Sequence, residues 1–392
     1  RSAPARWQAT LNRWLVDDMG FKQGANDSCV FVHKEKKILL ISYVDDLMLL
    51  CLEDDAEWFY KLLNQRFRCK GHVYLSKDNP IDFLGIIIFE DDLNTYLTME
   101  SYIETMIEVL ELEDYRSRSV PISKDITDMK PLTKVEARYF MKALGMAGWV
   151  AVTVRCECKY AHSRIAQHCA NPVRGALSAV IGLAEYMAAH KSWCIYQPLQ
   201  SDMLGHWRHY SDADYGGNPE PQNKRRSQSG VLSMHGTAPI LFGSKASSVL
   251  FDTILSRDRM PTAHADLMES HAELSVGAAE VYALSIATCE VLNLSYVCEE
   301  AGIPMPKPFV INVDNTTAIA FAHDRVKRSR MKHIDLRQQW VAALRDHDLV
   351  KTVHCPTDVQ LSDGFTKILS VNKFQVWREQ LLIEMPFVTK AN

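Results

Sequence analysis

No run of 18 or more apolar residues occurs in the 392-residue sequence, so it offers no ready transmembrane span. The charged-then-apolar pattern of a secretory signal is also missing at the N-terminus, and together these lead us to expect an intracellular protein. Internal repeats and low-complexity tracts are absent, which excludes solenoid and collagen-like architectures. An excess of positive charge is lacking too. Against 44 Lys and Arg stand 48 Asp and Glu, a formal net charge of −4. Binding of nucleic acid through an overall basic surface is thereby excluded, and such binding would need local patches beside an acidic centre. The ten cysteines follow no repeating spacing, which suits reduced thiols better than a disulfide framework. Finally, Arg1 stands where an initiator methionine would, and a processed product or a fragment is the expectation.

What is present is an ordinary globular composition, 47% hydrophobic and 23% charged, sufficient for more than one domain. Ile38 to Cys51 is apolar except for Asp45 and Asp46 in its middle, the pattern of two antiparallel strands joined by a tight turn. Asp tolerates turn geometry, so a polar hairpin tip explains the pair; adjacent carboxylates also suit a divalent hard cation. Trp7, Leu11, Trp14, Leu15 and Met19 form a helical stripe ending at Gly20. A strand is expected at Cys29–His33, and Ile81–Phe89 followed by Thr95–Thr98 reads as another hairpin, with helices at Ala56–Phe67 and Glu100–Leu112. Pro121 to Pro131 reads as a linker. Val135–Val154, Tyr160–His168 and Val173–Ala189 then carry helical spacing. Cys156, Cys158, His162, His168 and Cys169 are zinc-compatible residue types, but they crowd one stretch without the long spacer of a zinc finger. Buried thiols and surface imidazoles are the plainer account.

After a second boundary at Pro198 to Gly205 the order becomes three strands, a long helix, a strand, a helix, and later a strand and helix, which suits an RNase H-like α/β fold. Four acids take marked positions in it. Asp212 ends a strand, Glu280 lies in the first half of the long helix Ala272–Glu300, Asp314 ends the apolar strand Pro308–Val313, and Asp363 follows the short strand Val350–His354 on a helix. Singly, each is a solvated turn or helix residue. As an ordered set they could hold two Mg²⁺ ions roughly 3.5–4 Å apart, with Mn²⁺ as a substitute. Such close carboxylates need neutralisation by metal. Asp214 and Asp335 are weaker alternatives, better explained by a turn and a helix surface. His333 and His354 titrate near working pH, yet we assign neither a catalytic role. The segment from Lys245 to Glu280 is long and contains His264, Asp266, Glu269 and His271, which a polar helical insertion explains better than a metal site.

The blocks Tyr210-Ser211-Asp212-Ala213-Asp214-Tyr215-Gly216-Gly217, Ala279-Glu280-Val281-Tyr282-Ala283-Leu284, Asp314-Asn315-Thr316-Thr317-Ala318-Ile319, Lys332-His333-Ile334-Asp335-Leu336-Arg337 and Leu361-Ser362-Asp363-Gly364-Phe365-Thr366-Lys367 resemble, in order, those of the copia-type LTR-retrotransposon RNase H domain. Upstream, Ala3-Pro4-Ala5-Arg6-Trp7, Gly20-Phe21-Lys22, Tyr43-Val44-Asp45-Asp46 and Phe83-Leu84-Gly85-Ile86 resemble the later half of the same family's reverse transcriptase palm. One departure is Gly364, where the family has a better helix former.

The resemblance implies a mixed α/β chain: a partial palm and thumb at 1–125, a helical connection at 126–205 and an RNase H-like domain at 206–392. It implies Mg²⁺-dependent hydrolysis of RNA in RNA–DNA hybrids at Asp212, Glu280, Asp314 and Asp363. Lys224, Arg225, Arg226, Arg328, Arg330 and Lys332 would contact nucleic acid. Asp45 and Asp46 would be polymerase residues whose companion acid lies upstream of Arg1, so polymerase activity is not expected of this chain alone. Implied partners are RNA–DNA hybrid, RNA and DNA, and other Pol and Gag products, with no membrane. The implied settings are cytoplasm, virus-like particles and nucleus. The competing readings are an RNA-directed DNA polymerase completed by upstream sequence, and a decayed or co-opted nucleic-acid-binding protein without catalysis.

Overall fold

The computed structural model describes residues 3–200, 205–217, 227–246, 275–323 and 340–385. Helix α1 (Ala3–Arg13) runs into a wider π-turn at Trp14–Asp18, and Gly20, in the left-handed region at φ 76°, ends it. Its buried stripe of Leu11, Trp14 and Leu15 packs on the sheet of β1 (Lys22–Gln23), β2 (Val30–His33), β3 (Ile38–Tyr43) and β4 (Asp46–Leu50), paired in that order. The hairpin is the expected one, but its turn is made by Val44 and Asp45, one residue earlier than the Asp45–Asp46 pair, and Asp46 opens β4 opposite Tyr43. Val44 sits at φ 53°, an unusual value for a β-branched residue, and its carbonyl accepts from the Trp7 indole N–H at 2.6 Å. Helix α2 (Glu53–Arg66) covers the sheet through Phe59 and Leu63, and its three N-terminal acids complement the helix dipole.

The single strand expected over Ile81–Phe89 is in fact a hairpin, β5 (Ile81–Phe83) and β6 (Ile86–Glu90). Leu84 and Gly85 both take positive φ, which fits a two-residue hairpin turn, and the Gly85 N–H donates to Asp82 Oδ1 at 2.9 Å. Strand β7 (Asn94–Thr98) and helix α3 (Glu100–Val109) follow. The stretch read as a linker is irregular but packed. Pro121 and Ile126 are buried, and the carbonyls of Asp128 and Lys130 accept from Gly175 and Arg174 at the start of a helix. Helices α4 (Lys134–Thr153, opened by a Thr133–Glu136 capping box), α5 (Lys159–Ala166) and α6 (Arg174–Ala189) agree with the helical spacing. Strand β8 (Trp193–Pro198) pairs with β7.

The C-terminal elements are β9 (Trp207–Asp214), β10 (Gln228–His235), β11 (Ala238–Ala246), α7 (Ser275–Glu300), β12 (Phe309–Val313), α8 (Thr316–Ala322), a helical segment at 340–346, β13 (Val350–His354), α9 (Val371–Glu379) and β14 (Ile383–Glu384). Their mixed sheet has the order β11-β10-β9-β12-β13, antiparallel among the first three and parallel from β9 to β13. Helix α7 meets a bilayer-spanning criterion by length and composition that the sequence alone had not suggested, but it buries Val281, Leu284, Ala287 and Val291 in the core of this sheet. At its far end Glu300 accepts from the backbone N–H of Ala25 at 3.0 Å and from Asn26 Nδ2 at 2.9 Å, tying α7 to the loop before β2.

The three segments 1–125, 126–205 and 206–392 share structure. Strands β5, β6, β7, β8 and β14 form one sheet, and one apolar core runs from Met99 through the helices to Leu382. Within that core Arg155, fully buried, donates through Nε to Glu157 at 2.7 Å; Tyr186 links Glu157 to Arg378, which lies 3.7 Å over the Trp193 ring. Removing one partner of a buried ion pair strands the other's charge. Glu157→Gln should therefore cost about 3–5 kcal/mol, read as a lowered urea midpoint at unchanged slope; a midpoint within error of wild type would contradict this role.

Candidate active site

Asp212 lies within β9, because the ladder continues two residues past it to pair Asp214 with Gln228, where a strand end was expected. Opposite Asp212 is Gly230. A Cβ there would come within 2.7 Å of the Thr366 methyl and 2.8 Å of the Ser362 carbonyl, so glycine lets the chain at 361–366 close over the sheet. That segment is a 3₁₀ turn, Leu361–Phe365, where an ordinary helix carrying Asp363 was expected. Gly364 has a packing reason: a Cβ would lie 2.3 Å from the Trp377 ring, whose N–H donates to the Leu361 carbonyl at 2.7 Å. Gln360 fixes the turn from the other side, donating to the Ser211 carbonyl and accepting from the Ser362 hydroxyl. Asp314 follows β12, where Asn315 caps α8 by accepting from the Thr317 and Ala318 amides.

These elements bring one carboxylate oxygen each from Asp212, Asp314 and Asp363 within 4.8 Å of one another. Thr366 donates its hydroxyl to Asp212 Oδ2, Thr357 donates to Asp314 Oδ2 at 3.0 Å, and Lys367 Nζ lies 2.9 Å from Asp363 Oδ2. Glu280 on α7 is 5% exposed, and among the described residues its Oε2 has no hydrogen-bond partner; nor does Asp363 Oδ1. Burial, then repulsion by Asp212 and Asp314, pushes the Glu280 carboxyl up to about 9. Burial likewise raises Asp212 to about 7, against the hydrogen bond from Thr366. The Cys355 thiol beside them is driven to about 11 by burial and then by the three aspartates, so it stays neutral. The three converging aspartate oxygens, all of one hard donor type, fit a hard divalent cation such as Mg²⁺ or Mn²⁺ held by Asp212, Asp314 and Asp363, whereas Glu280 stands outside that group of three and is coupled to it by charge.

Other candidates fall elsewhere. Asp45 and Asp46 are exposed at their hairpin tip, and among the described residues they join no group of three metal-compatible side chains. The zinc-compatible set does not assemble among the described residues either. Cys156 and Cys158 are fully buried with thiols pushed far up by burial, His168 is buried, and His162 is lowered to about 4 by burial and by Lys159 while packing on Gly148. His168 is thus interior and His162 half-buried, where surface imidazoles were expected. Asp214 is half-buried, pushed up by burial against Lys367 and Arg164, and its carboxylate fills the space where a side chain at Gly217 would be. His354 is exposed. Lys224, Arg225, Arg226, Arg328, Arg330, Lys332, His333, Asp335, His264, Asp266, Glu269 and His271 lie outside the described residues. Thr357, Thr366 and Lys367 were missed as site residues, although the i,i+4 spacing of Lys367 from Asp363 was a readable signal.

No family model matches the chain. It is 23% identical over 393 residues to the retrovirus-related Pol polyprotein from transposon TNT 1-94 of Nicotiana tabacum, covering 97% of this chain and 27% of that protein. The Pol polyprotein from transposon RE1 of Arabidopsis thaliana is 25% identical over 389 residues, 96% of this chain and 24% of the relative. A Ty1 Gag-Pol polyprotein of Saccharomyces cerevisiae is 23% identical across 96% of the chain. The chain's homologues are thus copia-type Pol polyproteins, and it spans about a quarter of the length of the plant relatives. Among solved structures, a foamy viral protease-reverse transcriptase in complex with dsDNA aligns at TM-score 0.43 and 10% identity, over 90% of this chain and 49% of that one.

The raised carboxyls set a pH dependence. Unfolded, both acids ionise near pH 4; folded, Asp212 and Glu280 hold their protons to about 7 and 9. Between these limits the unfolded state binds fewer protons, so the metal-free protein should lose stability as pH rises from 5 to 9. Glu280→Gln should flatten that slope in thermal unfolding. A slope identical to wild type would show that Glu280 is not the titrating group.

Proposed function

We propose that this chain, homologous over nearly its whole length to copia-type Pol polyproteins, acts as a divalent-metal-dependent ribonuclease on the RNA strand of RNA–DNA hybrids. The observation that carries the proposal is the convergence of Asp212, Asp314 and Asp363, with the unpartnered Glu280 facing the same charges. Two bound Mg²⁺ ions would supply activation of water and charge stabilisation for the leaving oxygen of an in-line phosphodiester cleavage.

The chain's own residues prepare this chemistry. Thr366 and Thr357 orient the Asp212 and Asp314 carboxylates, leaving their remaining oxygens for ligation. Gln360 and Trp377 hold the 3₁₀ turn so that Asp363 reaches the strand-borne aspartates. Glu280 enters from the long helix, and its burial excludes water from that side. Selection of RNA would come from contacts to 2′-hydroxyls across the shallow minor groove of the hybrid. With a net charge of −4, contacts to the phosphate backbone fall by charge to Lys224, Arg225, Arg226, Arg328, Arg330 and Lys332. Other Pol and Gag products are its proposed partners. We assign no polymerase step to Asp45 and Asp46 within this chain, since they stand apart from any third acid among the described residues.

With a labelled RNA–DNA hybrid and Mg²⁺, the purified chain should release RNA fragments, and Asp314→Asn should slow cleavage about 100-fold or more, equivalent to about 2.7 kcal/mol of barrier. The same preparation should not extend a primer. Equal cleavage by both proteins would contradict the assigned site, and hybrid binding without cleavage by either would favour a non-catalytic binding protein.

A further inference from the structure

The acid cluster contains its own cation. Lys367 Nζ is 2.9 Å from Asp363 Oδ2, and its charge also acts on Asp212, Glu280 and Asp314, the other members of the set. Its position is built in. The Lys367 amide donates to the Asp363 carbonyl at 3.3 Å, and the preceding Thr366 is held by its hydroxyl on Asp212, so both ends of the turn are fixed against the acids. The side chain is 40% exposed, so a shift away from Asp363 would carry the ammonium toward water and not into the core. Among the described residues two fully buried oxygens of the set have no hydrogen-bond partner, Asp363 Oδ1 and Glu280 Oε2. One ammonium therefore meets only part of the charge that the aspartates of the set present when ionised.

Building on the hard-cation reading of the site, we propose that Lys367 is a resident counter-cation competing with divalent metal for the Asp363 side of the cluster, so that metal loading proceeds by exchange. A monovalent ammonium and a divalent ion near the same oxygens repel each other, a repulsion that the 40% exposure of the Lys367 side chain screens only in part. The ammonium thus lowers the cost of assembling like charges in the metal-free protein and raises the metal concentration needed for occupancy. Lys367 is on this account a positioning residue, acting through Asp363.

Mn²⁺ binding to the purified chain, followed by the loss of the free-ion electron paramagnetic resonance signal, reads this directly. Lys367→Met removes the charge and keeps the apolar stem, and by relief of the ammonium–metal repulsion should bind Mn²⁺ about tenfold more tightly, while melting at a lower temperature without metal. Lys367→Arg should retain weak, wild-type-like binding. Lys367→Gln serves as the uncharged variant should the Met substitution not fold. Unchanged or weaker Mn²⁺ binding by the uncharged variant overturns the inference. Wild-type protein that binds no Mn²⁺ would instead remove the cation-site reading on which it rests.

Discussion

Like charges forced together in a poorly solvated pocket are the constraint on which the C-terminal architecture depends. Left alone, Asp212, Asp314 and Asp363 would repel each other, and burial of Glu280 and Asp212 adds a desolvation cost that shows in their raised pKa values. The acids are nonetheless held by different elements: a strand interior, a strand end, a long helix and a 3₁₀ turn. None can relax without disturbing a ladder, a cap or a packed ring. That arrangement is stored electrostatic strain, which protons, an ammonium or a hard cation can relieve.

The restraint reaches well beyond the sheet. Trp377 holds the turn bearing Asp363, and its neighbour Arg378 is embedded with Tyr186, Glu157 and Arg155 among the helices of the central segment. A buried network of this kind costs stability when one partner is removed, because the remaining charge is left without its counterpart. Helix α5 reinforces the junction through Ser163, whose hydroxyl accepts from Gln228 at 3.0 Å. The central helices therefore act as the floor on which the turn is set, more than as a passive connection.

Much of this was legible in the sequence. Apolar spacing placed the helices α1, α4, α5 and α6, and the Asp45–Asp46 hairpin followed from two apolar runs around a turn-compatible pair. The acids were readable as an ordered set, and three of them, Asp212, Asp314 and Asp363, do meet; Glu280 stands outside that group and acts on it through charge. What was not legible depended on long-range packing. The break at Leu84 and Gly85 lies inside a run that looks continuous, since Leu gives no signal for positive φ. Gly364 looked like a loss of helix propensity, whereas the Trp377 ring, 13 positions on in the chain, occupies the space of its side chain. The stretch 121–131 looked like a linker because its prolines forbid a helix; its carbonyls in fact complete the start of α6. Thr366 and Thr357 carry no local mark of their role.

The central claim is that the four acids form one hard-cation site, and anomalous diffraction from crystals soaked in Mn²⁺ tests it most directly. The account predicts two peaks about 3.5–4 Å apart, bounded by Asp212, Glu280, Asp314 and Asp363. Bound Mn²⁺ found only elsewhere, for instance at Asp45 and Asp46, with none among the four acids at saturating metal, would contradict it.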